Sequence, residues 1–179
     1  MISLDDKLTW HFYKGDGSIE NKRILSTKQE CIWRTTHCIA LCPGEIYFEC
    51  KFEKSLNEKD SEVIFLGITT KNSKTEPGWE INSIGYELNE TSDGYIYKDG
   101  KKFLSAPAVQ SGDFVGCRIR YSMKDDELVA SCLFTKNNLD VTNQIPLDTS
   151  VTPKFYPTIA ARNSNGGLEL EASISYRSF

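Results

Sequence analysis

The hydrophobic residues of this chain occur in short β-branched and aromatic runs, and sustained helical periodicity is almost absent. In the segment EIYFECKF apolar side chains from Ile46 to Phe52 alternate with polar or amphipathic ones, which predicts a strand with one wet face. The run from Val63 to Thr69 is apolar on successive residues and predicts a central strand covered on both faces. The pattern indicates an all-β fold.

Turn-forming residues separate the predicted strands. Asp93-Gly94, Asp99-Gly100 and Asn137-Asn138 favour tight turns, because Gly accepts positive φ and Asp and Asn tolerate it. The polar segment 55–61 predicts an exposed hairpin loop, and 140–153 predicts a longer connection. Further strands are predicted at 81–86, 95–98, 113–121, 127–136, 155–162 and 168–175. With no repeat or linker in its 179 residues, the chain is expected to fold as one domain.

The charge balance excludes some classes of partner. The formal charge is −4, so the sequence has no excess of basic residues that would bind a phosphate backbone. We therefore expect no nucleic-acid binding. No apolar run approaches the ~20 residues of a membrane-spanning helix, and the start lacks the pattern of a secretory signal. We expect no membrane association and a cytoplasmic location, although a signal removed before Met1 would leave secretion open.

Cysteine and histidine spacing gives no metal site. The six cysteines form no Cys-x-x-Cys pair, and His11 and His37 complete no zinc-ligand spacing. Cysteines in strand-like runs, such as Cys50 and Cys132, are expected to be buried thiols rather than disulfides. No nucleophile elbow, phosphate loop or catalytic carboxylate pair is recognisable, so we expect no cofactor and no enzymatic activity.

Six motifs in a fixed order resemble the SPRY domain, in particular the form found in the Ran-binding protein RanBPM. They are PGEIYFECKF, IFLGIT, PGWEINSIGYELNETSDGYIYKDGK, SGDFVGCRI, CLFTKNN and FYPTIAAR. Each motif alone is weak, but together they span about 145 residues in order. The CLFTKNN hairpin departs from the family pattern, since Asn138 occupies a position that is usually Gly; Asn enters the left-handed region more easily than other non-Gly residues.

The resemblance implies a concanavalin-like β-sandwich of two antiparallel sheets. It places the SPRY domain at 31–179 and leaves 1–30 as an N-terminal segment packing on the sandwich. No ubiquitin-ligase partner module is recognisable in this chain, so a role as substrate-recognition or adaptor domain would depend on sequence beyond it.

The same resemblance implies which residues contact a partner. The loop before the first clear strand and the loop after the YPTIA strand correspond to ligand-contacting loops of the family, and Tyr97 corresponds to a Tyr that lines a peptide pocket. The expected contact residues are Arg34, Thr35, Thr36, His37, Tyr97, Lys98, Arg162, Asn163 and Ser164. The residues from Arg34 to His37 are expected to reach the surface, and the two loops with Tyr97 are expected to form one rim.

Two aromatic residues leave alternatives open. For Tyr97, partner contact and packing are equally compatible with the sequence. For Trp79, packing beneath its loop is favoured over a role as an exposed residue that anchors a partner.

The expected function is therefore recognition of a protein or extended peptide by surface loops of a monomer. The alternative is a lectin-like carbohydrate binder, because sandwiches of related shape bind sugars with aromatic platforms and Asn or Asp hydrogen bonds.

Overall fold

The computed structural model describes residues 10–14, 17–20, 23–26, 30–35, 43–52, 63–89, 92–150, 154–162 and 168–178. Within these ranges the chain forms strands and turns and no helix. The strands are β1 (Trp10–Lys14), β2 (Gly17–Glu20), β3 (Arg23–Ser26), β4 (Glu30–Thr35), β5 (Gly44–Lys51), β6 (Val63–Thr69), β7 (Ile84–Leu88), β8 (Gly94–Lys98), β9 (Lys101–Ala106), β10 (Phe114–Lys124), β11 (Glu127–Lys136), β12 (Leu139–Asp140), β13 (Ile145–Leu147), β14 (Tyr156–Arg162) and β15 (Leu168–Ser178).

The strands form two antiparallel sheets. The first sheet has seven strands in the order β1-β4-β14-β6-β7-β8-β9. The second has eight, in the order β12-β11-β10-β5-β15-β3-β2, with β13 also paired to β11. The predicted all-β fold of two antiparallel sheets is confirmed. The strands β1, β2 and β3 take part in these sheets, while the start of the SPRY domain at residue 31 stays a prediction.

The main core lies between the sheets and is built from the inward residues of alternating strands. β5 contributes Ile46, Phe48 and Cys50, which are buried, while the residues between them are half-buried, as the period-2 pattern predicts. β6 lies fourth of seven in the first sheet and is buried on both faces beyond Val63, as predicted from its continuous apolar run. Tyr86 is also in this core.

Three cysteines in strands β5, β10 and β11 are buried and free. Cys50, Cys117 and Cys132 lie in the main core. Burial disfavours the thiolate and raises the pKa of Cys50 to about 12, and it raises the pKa of Cys117 well above its ordinary value. The prediction of buried thiols at Cys50 and Cys132 is confirmed.

Paired non-glycine residues with positive φ close the tight hairpins. Asn137 (φ 51°) and Asn138 (φ 63°) connect β11 to β12, and Asp125 (φ 50°) and Asp126 (φ 63°) connect β10 to β11. Asn138 thus occupies the left-handed region as expected for a position where Gly is usual.

Asp113 ties the start of β10 to the end of β11. Its carboxylate accepts hydrogen bonds from the amide of Gln110 at 2.7 Å and from Nδ2 of Asn137 at 2.7 Å, and Nζ of Lys136 lies 3.0 Å away. Burial alone opposes ionisation, but these donors outweigh it and hold the pKa of Asp113 below its ordinary value.

The predicted strand at 81–86 begins three residues late. β7 starts at Ile84 because residues 81–83 belong to a turn, in which Asn82 has a φ of 60°. The hydroxyl of Ser83 accepts hydrogen bonds from the amides of Gly78 and Glu80, and it donates to the carbonyl of Glu80. Side-chain bonds of this kind favour turns over extended strand.

Among the described residues, no helix is long and apolar enough to cross a membrane.

Candidate partner-binding surface

The loop of residues 70–83 between β6 and β7, here called the Trp79 loop, folds against the outer face of the first sheet. A glycine on that face makes the approach possible. A Cβ on Gly85 would lie 2.2 Å from the carbonyl oxygen of Pro77, so any larger residue at Gly85 would displace the loop. The Pro77-Gly78 turn therefore rests directly on the sheet.

Trp79 stacks on Tyr97 at the end of β8. The ring centroids are 5.0 Å apart with an angle of 20° between the planes. Gly78 (φ 95°) allows the turn to come this close, because a Cβ there would lie 2.7 Å from Cβ of Tyr97. The contact leaves Tyr97 buried, whereas Trp79 keeps 42% of its surface exposed. One face of the indole is thus supported by protein while the remainder faces solvent.

Tyr97 is a packed residue in this arrangement. Its ring also meets Phe65 edge to face at 6.4 Å, within a small apolar cluster on the outer face of the first sheet. Burial, together with a hydrogen bond to the carboxylate of Glu87, raises the pKa of Tyr97 to about 12. Of the two possibilities left open by the sequence, packing is the one the structure shows for the free chain.

Backbone contacts join the Trp79 loop to the Asp99-Gly100 turn between β8 and β9. The amide of Gly100 donates to the carbonyl of Gly78 at 2.8 Å. The amide of Asn82 donates to Oδ1 of Asp99 at 2.7 Å. Ile81, at the tip, is 76% exposed. We call the exposed side chains of Trp79 and Ile81, together with the Asp99-Gly100 turn, the Trp79 surface.

Arg34 lies beneath the start of the Trp79 loop. Its Nη1 donates to the carbonyl oxygens of Thr70 at 3.1 Å and Lys71 at 2.8 Å, and its guanidinium lies 5.1 Å from the ring centroid of Tyr156. Only 6% of Arg34 is exposed. The expectation that Arg34 reaches the surface is wrong, because these loop carbonyls and the aromatic ring draw the side chain inward.

Thr35 is buried as well, so the expectation of exposure is wrong there too. It is the last residue of β4, paired with β1, and this pairing holds it within the sheet. Thr36 and His37 lie outside the described residues, as do Asn163 and Ser164. Their contact with a partner stays a prediction.

Arg162 lies at the other end of the first sheet from the Trp79 loop. Its backbone pairs with Val63, the first residue of β6, whereas the Trp79 loop follows the last residue, Thr69. Tyr97 pairs with Gly85 near the loop end of β7. The backbone register therefore does not bring Arg162 to the Trp79 surface, and the single rim of the two loops with Tyr97 stays a prediction.

Lys98 is partly exposed next to the Asp99-Gly100 turn. Its Nζ donates to the carbonyl oxygen of Pro146 at 3.0 Å and so links the first sheet to β13 of the second. A cavity of about 240 Å³ lies between the two sheets at this point, lined by residues that include Asn82, Lys98 and Asp148. Lys98 thus stands beside the Trp79 surface, and its contact with a partner stays a prediction.

The exposure of Trp79 and Ile81 goes beyond what the sequence predicts. The signal was present in the PGWEI segment, since Pro-Gly before Trp predicts a turn that presents the ring. The sequence predicts a strand at Ile81, which would bury the isoleucine, and its exposure follows from the turn that forms there instead.

In the part of the chain that the structure describes, no group of three or more His, Cys, Asp or Glu residues could hold a metal ion.

Comparison with known sequences gives one specific likeness. The chain is 34% identical over 113 residues to a Ran-binding protein M homolog of Arabidopsis thaliana. The match covers 60% of this chain and 22% of that protein, so the chain spans about a fifth of the relative's length. No family model matches the chain.

Solved structures share the fold at low identity. A human SPRY domain superposes with a TM-score of 0.61 at 17% identity, covering 87% of this chain and 93% of that one. The SPRY domain of human HERC1 gives 0.55 at 13% identity, covering 98% and 96%. A variant of the carbohydrate recognition domain of Emp46p gives 0.62 at 12% identity, covering 96% and 88%. At these identities the structural likeness shows the fold alone, and with the sequence likeness it confirms the resemblance inferred from the motifs.

Proposed function

We propose that this chain, a β-sandwich of the SPRY type similar in sequence to a Ran-binding protein M homolog, is a non-catalytic module that binds a partner protein or an extended peptide. The observation that carries the proposal is the exposed Trp79 ring stacked on the buried Tyr97. Trp is enriched among the residues that dominate binding energy. A ring already fixed by packing loses little conformational freedom on binding.

The proposed contact surface is the Trp79 surface together with Lys98. Arg34 and Tyr97 serve it as positioning residues, since Arg34 binds the start of the Trp79 loop and Tyr97 supports the indole. Ile81 adds exposed apolar area next to the ring. The surface is thus an apolar centre bordered by polar groups, as protein interfaces commonly are.

The hydrogen bonds around the Trp79 loop do not set up Ser83 as a nucleophile. The hydroxyl of Ser83 is occupied by the amides of Gly78 and Glu80 and by the carbonyl of Glu80. A nucleophilic hydroxyl requires an adjacent base that takes its proton. The proton of Ser83 is instead held by a backbone carbonyl.

A lectin-like activity is the second candidate. The likeness to the Emp46p carbohydrate recognition domain extends over nearly the whole chain, and an exposed indole beside Asp99 would serve as a sugar platform. That likeness concerns the fold only, and a glycan array probed with the chain separates the candidates. Specific binding to defined glycans that is lost in Trp79→Ala would favour the lectin.

The relative's greater length bears on the cellular role. Within a longer protein, a module of this kind would act as the substrate-recognition or adaptor domain, with any effector activity located in other parts of the protein.

The experiment that tests the proposal is calorimetric binding of a partner isolated on the immobilised chain. Trp79→Ala should weaken affinity by about 1–3 kcal/mol, as truncation of a central anchor does. Leu139→Ala is the matched control, because Leu139 is 72% exposed in β12 of the second sheet. β12 pairs with the end of β11 at 135–136, whereas β13, which Lys98 contacts, pairs with β11 at 130–132. Equal affinity of both variants would contradict the proposal.

A further inference from the structure

Among the described strands, β9 forms an edge of the first sheet and has exposed side chains. β9 is the last strand of that sheet, and its residues from Lys101 to Ser105 are all exposed. An edge strand presents unpaired backbone N–H and C=O groups that can pair with another chain. Most edges carry few apolar side chains, but β9 carries Phe103 and Leu104, which are 48% and 41% exposed.

A register shift in β9 places both apolar side chains on the inner side of the sheet. Leu104 pairs with Ile96, whose side chain is in the main core. The register shifts between Ile96 and Tyr97, which leaves Phe103 without a paired residue. Nζ of Lys98, which reaches across to the second sheet, lies 5.6 Å from the centroid of the Phe103 ring. The margin of the core is therefore open along β9.

Three lysines give this edge a positive charge. Lys101 and Lys102 are exposed at the start of β9, and Lys98 is partly exposed opposite Lys101. Among the described residues, no carboxylate lies within ion-pair distance of these lysines. The carboxylate of the neighbouring Asp99 accepts a hydrogen bond from the backbone amide of Asn82. The edge is thus locally basic on a chain whose net charge is −4.

We propose that β9 is a second docking edge, which takes an extended peptide that carries acidic residues beside alternating apolar ones. The peptide adds to the first sheet as a further strand. Its backbone pairs with β9, its apolar side chains cover Phe103 and Leu104, and its carboxylates lie near Lys101 and Lys102. Strand addition to an exposed edge is a general mode of peptide recognition, with side-chain pockets supplying the specificity.

The charge pattern favours an acidic peptide over a second copy of the chain. Pairing β9 with another β9 would bring two lysine-rich edges together, and like charges across an interface suppress association. Lysines and a bulge are also the usual protection of an edge against aggregation. Protection against aggregation does not require exposed apolar side chains. It therefore does not explain why Phe103 and Leu104 are exposed.

The test is selection from a displayed library of random short peptides on the whole chain, with affinities of the selected peptides measured by fluorescence anisotropy. We expect selected peptides to alternate apolar residues with Asp or Glu. Lys101→Glu with Lys102→Glu should weaken their binding by about tenfold or more, and added salt should weaken it too. Lys124→Glu, an exposed lysine at the end of β10, is the matched control and should change little.

Two further variants locate the site. Phe103→Ser with Leu104→Ser should abolish binding while the melting temperature stays near that of the parent chain, and bound peptide should slow hydrogen exchange at the amides of 101–106. Trp79→Ala should leave these peptides bound, which separates this edge from the Trp79 surface. Failure to select any peptide, selected peptides without acidic residues, equal binding by the lysine reversal, or loss of binding in Trp79→Ala would each overturn the proposal.

Discussion

The guanidinium of Arg34 donates a hydrogen bond of 2.8 Å to the carbonyl oxygen of Lys71, which lies 37 residues further along the chain. This contact joins β4 to the start of the Trp79 loop. It gives Arg34 a role in folding and positioning that differs from direct contact with a partner.

Arg34→Ala is therefore expected to lower stability. Removing a buried charged donor leaves the loop carbonyls of Thr70 and Lys71 unsatisfied, at a cost of about 2–4 kcal/mol. Urea unfolding followed by circular dichroism measures the change. Arg34→Lys, which keeps the charge but not the forked donors, should lose part of that stability. An unchanged unfolding midpoint for Arg34→Ala would show that the residue is dispensable to the fold.

The hydrogen bonds to Asp113 predict a pH dependence. Because its pKa is lowered on folding, Asp113 contributes stability that is present above the unfolded pKa of about 3.9 and is lost as the pH falls through the folded value. The stability difference between the parent chain and Asp113→Asn should therefore be largest near neutral pH and shrink in acid. A difference independent of pH would contradict this account of Asp113.

The hairpin turns predict stabilising substitutions. Asn138→Gly and Asp126→Gly should each raise stability by up to about 1 kcal/mol, because Gly adopts positive φ without the steric cost of a side chain. Thermal unfolding measures the gain. Gly112→Ala is the converse case and should lower stability. A Cβ at Gly112 would meet no atom within 4 Å, so the loss would come from the φ of 94° alone.

The buried thiols predict slow labelling. In a chain whose other cysteines, Cys31, Cys38 and Cys42, are replaced by Ser, a thiol reagent should react with Cys50, Cys117 and Cys132 only after denaturation. Their burial blocks access, and the raised pKa values of Cys50 and Cys117 keep the reactive thiolate rare at neutral pH. Rapid labelling of the native chain would place them outside the core.

Strands with a clear burial pattern were predictable from sequence, and an edge strand was not. The sequence of β5 alternates between apolar and polar residues because one face of the strand is buried. The sequence of β6 is continuously apolar because both of its faces are buried. In both strands the sequence pattern matches the burial. β9, with the sequence KKFLSA, is exposed along nearly its whole length, so no burial imposed an alternation that could reveal it.

The candidate site was predictable only where it depends on local sequence. The Asp99-Gly100 turn and the Pro77-Gly78 turn follow from residue type. The burial of Arg34 depends on carbonyls 36 and 37 residues away, and the support of Trp79 by Tyr97 depends on the fold of the whole Trp79 loop. Such distant contacts leave no signature in the neighbouring residues of a single sequence.

Site-specific photocrosslinking tests the central claim most directly. A photoreactive phenylalanine analogue placed at Ile81, which is 76% exposed on the Trp79 surface, should crosslink to the bound partner. The same group at Leu139, which is 72% exposed in β12 of the second sheet, should not. We predict crosslinks from the group at Ile81 and none from the group at Leu139. The crosslinks from Ile81 should be lost when Trp79→Ala is added. Crosslinks from Leu139 with none from Ile81 would show that the partner binds another surface.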